Sequence, residues 1–289
     1  MMPDADSRFD GDWLALREAA DHAARSDELA GLVAERLGSR VPLRVLDLGA
    51  GTGSNLRWLA PRLPGPQDWL LLDHDAQLLD RAHALAAPVS LDDRPIRVAT
   101  RCADLAELSP ELFEGVDLVT ASALFDLVSA LWLEQLAARI AQIAERGAAA
   151  LFALTVDGRR GFVDADGRAL IDEEDRWMVR QFNAHQLRAK GLGRALGPAA
   201  AAALPEALTA AGLRVFTERA DWRLAAGEPQ TGPLAAALIN DWAKAAREQS
   251  PESSARVAAW RDRRLAGLEA GRIGLCVGHV DVLALPEVP

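Results

Sequence analysis

Residues 45–55 read VLDLGAGTGSN, and this stretch constrains the fold most, because it joins a buried strand to a turn paved with glycine. Val45, Leu46 and Leu48 form the apolar run expected of a parallel strand covered on both faces. Asp47 interrupts the run near its carboxyl end, where open α/β sheets place their ligand crevice. Gly49, Gly51 and Gly53 then recur at every second position, so the backbone can take sharp dihedrals and a ligand can approach without meeting a Cβ. The helix that follows carries Leu56, Leu59, Ala60 and Leu63 on one side, and its first N–H groups lack helical partners.

Spacing separates the cofactors that such a turn can hold. The dinucleotide fingerprint G-x-G-x-x-G would place its third glycine at Ser54, whereas the chain reads D-x-G-x-G-x-G with the acid inside the pattern. That favours methyl transfer over hydride transfer. Downstream, residues 69–75 read WLLLDHD, a short buried strand ending in Asp73, at a distance from the glycines where an acid can accept both ribose hydroxyls. Residues 96–104 read IRVATRCAD, and residues 116–122 read VDLVTAS before running into ALFDLVS.

With these pieces in this order, the first half of the chain resembles the class I S-adenosylmethionine-dependent methyltransferases. The resemblance implies an α/β fold with a Rossmann-like, seven-stranded, mostly parallel sheet and helices on both faces. It implies S-adenosyl-L-methionine as cofactor, cradled by Asp47, Gly49, Ala50, Gly51, Gly53 and Asn55, with Asp73 on the ribose and His74 flanking the adenine. Asp104 would hold the adenine amino group with Leu105 beside it, and Ser122 would stand next to the transferable methyl. Helix capping is the plainer reading of an aspartate in such places, and for Asp75, before Leu78, Leu79 and Ala82, it is the preferred one.

The 289 residues can bury a substantial core, and a single domain over 1–289 accounts for them without a second fold. A net charge of −10 argues against a general nucleic-acid surface, which needs a basic stripe, and makes a small-molecule methyl acceptor the expected partner. No apolar run is long enough for a membrane span, and the polar start MMPDADSRFDGD lacks a leader pattern, so a cytoplasmic location is expected. Cys102 and Cys276 do not sit at metal-ligand spacing; both read as small buried apolar residues, and no metal is expected. Oligomeric state is not legible.

Several segments lie outside the common sheet pattern. Helices over 12–24 and 27–37, the second capped by Ser26, make residues 1–40 a candidate helical lid. A strand over 149–156 is followed by a candidate cap insertion, 157–198, containing a helix over 173–188. There Asn183, His185, Gln186 and Lys190 gather varied hydrogen-bonding groups, as a substrate rim does. A sixth strand is expected over 214–224 and the last over 273–285, separated by a helical insertion, 227–271.

A sulfonium methyl is already activated, so holding the acceptor in line with it supplies most of the rate. A general base matters only when the acceptor keeps its proton, and Asp126 and His185 are the titratable groups expected nearby, a structural role being the plainer reading of a lone histidine. The chain has TASALF where the amino-methylating enzymes of this family carry N/D-P-P-Y/F, and it has no Pro-Cys nucleophile. A small organic acceptor methylated on oxygen, nitrogen or carbon remains. Two other readings stay open: a non-catalytic S-adenosylmethionine-binding sensor or partner subunit, and an NAD(P)-dependent oxidoreductase, which Ser54 opposes.

Overall fold

The computed structural model describes residues 10–86, 95–188 and 193–287. Two helices come first, α1 (Gly11–Ala24) and α2 (Asp27–Arg36), with the side chains of Asp10 and Ser26 accepting from free N–H groups of their first turns. The βα alternation then runs β1 (Leu43–Leu48), α3 (Ser54–Leu59), β2 (Gln67–Asp73), α4 (Ala76–Ala86), β3 (Ile96–Cys102), β4 (Leu118–Ser122), α5 (Ala130–Ala144) and β5 (Ala149–Asp164). It is followed by α6 (Glu173–Gln186), α7 (Ala200–Ala210), β6 (Leu213–Arg219), β7 (Trp222–Leu224), α8 (Gly232–Gln249), α9 (Ser254–Glu269) and β8 (Ile273–Pro286).

The sheet has eight strands rather than seven, in the order β3-β2-β1-β4-β5-β8-β6, with β7 also paired to β8. The first five are mutually parallel, and β8 is antiparallel to β5, β6 and β7. The extra strand arises because the run expected over 214–224 breaks at Ala220 and Asp221. The Asp221 carboxylate accepts from Arg159, Arg219 and the backbone of His279 there, and β8 is long enough to pair with both pieces. Chain order reverses between β1 and β4, which puts the ligand crevice at their carboxyl ends.

Alternation along β1 sends Leu43 and Val45 against α2, α3 and α4, and Leu46 and Leu48 against α5 and α7, so each face is covered by helices. A third core lies where β5 and β8 outrun the rest of the sheet. Phe162, Leu275 and Val277 pack there with Met178 of α6, Trp242 of α8 and Trp260 of α9. Asp175 of α6 is buried in it, accepting from Trp260 Nε1 at 2.8 Å and from both Nε and Nη2 of buried Arg264 of α9.

β5 therefore continues eight residues past the Val156 at which the sequence suggests it ends. Its polar stretch Asp157–Arg159 is an irregularity in the ladder, flanked by the pairs Val156 with His279 and Arg160 with Val277 of β8, and Leu154 and Gly158 have positive φ. A bridge from Val163 to Ala169 closes a hairpin. Cys102, read as buried, is exposed at the end of edge strand β3, and Cys276 is half-buried. No helix among the described residues is long and apolar enough to cross a membrane.

Candidate active site

The turn after β1 is tied down by its neighbour β2. Ala50 N donates to Leu72 O at 3.0 Å, and Gly51 N donates to Asp73 Oδ2 at 2.8 Å. The other oxygen of Asp73 accepts from Asp75 N at 3.0 Å, and Asp75 in turn caps α4 by accepting from Gln77 N. Gly51 has φ +53° and Gly53, capping α3, has φ +79°. A Cβ built on Gly51 would meet only Leu14 of α1, at 3.3 Å, so the space over the turn is a cradle that a side chain would fill. Helix α1 is held over it by His22 Nε2, 3.1 Å from Ser54 Oγ, and by Glu18, which accepts two bonds of 2.7 Å from Arg57.

Asp47 lies beneath the turn with no exposed surface. Its Oδ1 accepts from Asn55 Nδ2 at 2.7 Å, and the same amide reaches Thr120 Oγ1 of β4 at 3.1 Å. Asp47 Oδ2 and Asn55 Oδ1 are buried without a donor. Burial pushes the Asp47 carboxyl up to about 7, despite the Asn55 bond and the charge of Arg25. Arg25 follows α1, its guanidinium 4.0 Å from the Trp58 ring, and its Nε and Nη2 are buried without acceptors. Unfilled acceptors and donors under a side-chain-free turn fit S-adenosylmethionine, which carries an ammonium and ribose hydroxyls as donors and a carboxylate as acceptor.

The Asp47 shift has a stability consequence of definite sign. Its folded pKa is about 7 against 3.8 unfolded, so the folded state holds the proton more tightly and stability falls as pH rises across that interval. Asp47→Asn is accordingly expected to stabilise the protein at pH 8 by about 1–2 kcal/mol, with the gain shrinking toward pH 4. Thermal unfolding at the two pH values checks this. A destabilised variant at pH 8 would show that the carboxylate has a counter-ion the fold depends on.

The other residues expected at the cofactor follow the strand ends. His74 is half-exposed, with Nδ1 3.3 Å from Asp73 Oδ1. Asp104 is exposed, and its Oδ1 accepts from Ala106 N at 2.8 Å, which is a capping bond. Leu105 is buried and, with Leu124, borders Gly49. Ser122 ends β4 and precedes Ala123, whose φ of +54° turns the chain sharply away from the sheet.

Beside Ala123 opens a cavity of about 370 Å³. Asp126, His185 and Gln186 line it together with Trp13 and Arg17 of α1, Arg160 of β5, Trp222 of β7, Trp242 of α8 and His279 of β8. His185 Nε2 lies 2.8 Å from Glu248 Oε2. Asn183, expected at the substrate rim, is not among the lining residues; its carboxamide accepts from Arg160 Nη1 at 2.7 Å and donates to Gly158 O at 3.0 Å. Lys190 falls outside the described residues. His279 is buried, its Nδ1 has no partner, and burial with the nearby charges of Arg17 and Arg160 lowers its pKa to about 3, so the ring is neutral. Sequence reading passed over both Arg160 and His279, although His279 and Asp281 stand out as polar residues in the apolar run of β8.

Residues 45–147 match a family described as a methyltransferase domain. No curated protein matches the chain. Similar solved structures include a cyclopropane synthase from Mycobacterium tuberculosis, 16% identical over 97% of this chain and 96% of that one with a TM-score of 0.47. Another is a phosphoethanolamine N-methyltransferase from Haemonchus contortus, 13% identical over 97% of this chain and 59% of that one, TM-score 0.45. A putative sarcosine dimethylglycine methyltransferase from Galdieria sulphuraria is 17% identical over 89% and 84%, TM-score 0.41. Likeness at these scores adds nothing to the family match, which falls on the strands and helices that build the glycine turn and on the acids at its border. Over residues 45–147, the chain is similar to the methyltransferase domain family.

Proposed function

We propose that the protein transfers a methyl group from S-adenosylmethionine to a small organic molecule held in the cavity beside Ala123. The observation that carries this is the adjacency of two sites at one sheet edge, the glycine turn with Asp47 and Asp73 and a cavity of about 370 Å³, a volume suited to a metabolite. When bound, S-adenosylmethionine supplies an activated sulfonium methyl. Asp73 accepts the ribose hydroxyls, Asp47 and Asn55 take the donors at the methionine end, His74 and Asp104 border the adenine with Leu105, and Ser122 stands at the edge of the acceptor site. Asp126 and His185 are the groups proposed to remove a proton where the acceptor keeps one, while Gln186 contacts the acceptor and Asn183 acts through Arg160. In this reading 1–289 is one domain, with 1–40 closing over the cofactor, 157–198 capping the acceptor and 227–271 completing the cavity wall.

The test uses S-adenosylmethionine labelled in its methyl group with an extract of small metabolites. Label is expected in a low-molecular-weight product, and Asp73→Ala is expected to weaken S-adenosylhomocysteine binding by about 1.5–3 kcal/mol, since two hydroxyls lose a charged acceptor. Binding of S-adenosylhomocysteine without any transfer would favour a sensor; binding of NAD instead would overturn the reading.

A further inference from the structure

Arg160 is a cation of the acceptor cavity with no ion pair among the described residues. Its guanidinium lies 4.1 Å from the Phe182 ring centre and 5.9 Å from that of Trp242, stacked where water is largely displaced. Among the described residues its hydrogen bond goes to the neutral carboxamide of Asn183. The acid charges that act on it belong to Asp126 and Asp157, and Asp157 is already engaged by the backbone N–H and side chain of Arg159. Two other charges of the cavity wall are paired: Arg17 forks onto Asp21 with bonds of 2.9 and 3.1 Å, and Glu248 meets His185. Beside Arg160 stands His279, neutral, buried and with Nδ1 unpartnered. A half-buried cation without an adjacent counter-ion is incompletely compensated, and a guanidinium is planar and forked in a way that matches a carboxylate.

We propose that the methyl acceptor is a monocarboxylate, its charged head bound by Arg160 and His279 and its apolar or aromatic body lying against Trp13, Trp222 and Trp242. The proposal rests on the methyl-transfer reading of this cavity. A single negative charge suits it, since one guanidinium fork matches one carboxylate.

Three probes of one size and different charge decide it: phenylacetate, phenylacetamide and phenethylamine, titrated against the full chain with S-adenosylhomocysteine present. Quenching of the tryptophans in the cavity wall reads binding. Phenylacetate is expected to bind at least about tenfold more tightly than phenylacetamide, with phenethylamine weakest. Arg160→Gln is expected to abolish that preference while leaving S-adenosylhomocysteine affinity within about twofold. Equal binding of acid and amide, preference for the amine, or no binding of any probe by the wild-type protein overturns the proposal without reference to how the variant folds. Failure of S-adenosylhomocysteine to bind overturns the methyl-transfer reading instead, and that titration is read separately by calorimetry.

Discussion

Gly51→Val is expected to abolish S-adenosylhomocysteine binding, by about a hundredfold or more, in a protein that still folds. At φ +53° a β-branched residue is strained by about 1–2 kcal/mol, and its Cβ would stand 3.3 Å from Leu14, in the space left open over the turn. The added methyls have nowhere to go except into the cradle or against α1. The neighbouring bonds from Ala50 N to Leu72 O and from Gly53 N to Ala50 O need no side chain at position 51, so the turn itself survives. Calorimetric titration beside a thermal melt checks both halves. Normal affinity in a folded variant would remove this turn from the binding site.

Asp175→Ala is expected to cost about 3–5 kcal/mol of stability, the largest effect of any single substitution considered. The change leaves Trp260 Nε1 without its acceptor and buried Arg264 with only Asp172 for a counter-charge. Burial raises the Asp175 carboxyl, and the bonds from Trp260 and Arg264 hold it charged against that pull. Asp175→Asn should be milder, since one oxygen still serves Trp260. Denaturant midpoints measure the two losses. Because Asp175 ties α6 to α9 in the third core, away from the glycine turn, S-adenosylhomocysteine affinity of the folded variant should hold; a loss there would mean that the third core supports the cofactor end directly.

What could be read from the chain divides by how local its causes are. The strand, glycine turn and helix over residues 43–59 were legible because each element is specified by its own residues: apolar alternation, positive φ and a cap. The starts of α2 and α6 were legible for the same reason, through Ser26 and the acidic first turn after Asp172. The far end of β5 was not, since D-G-R-R-G has the composition of a loop and becomes strand only by pairing with β8, more than a hundred residues later. The cavity beside Ala123 was half legible. His185 and Gln186 announce themselves as neighbours on one helix, but Arg160 and His279 meet only through that same long pairing, and no spacing in the sequence records it. Asn183 was expected at the substrate rim; its carboxamide accepts from Arg160, which lines the cavity.

Helix α1 borders the glycine turn and the cavity beside Ala123 at once. Leu14 overhangs Gly51, while Trp13 and Arg17, one position before it and three after it, line the cavity. The helix is pinned at one end of its surface to the glycine turn through Glu18 and His22, and at another to β7 through Asp21 and Trp222. A substitution that shifts α1 is therefore expected to disturb the glycine turn and the cavity together.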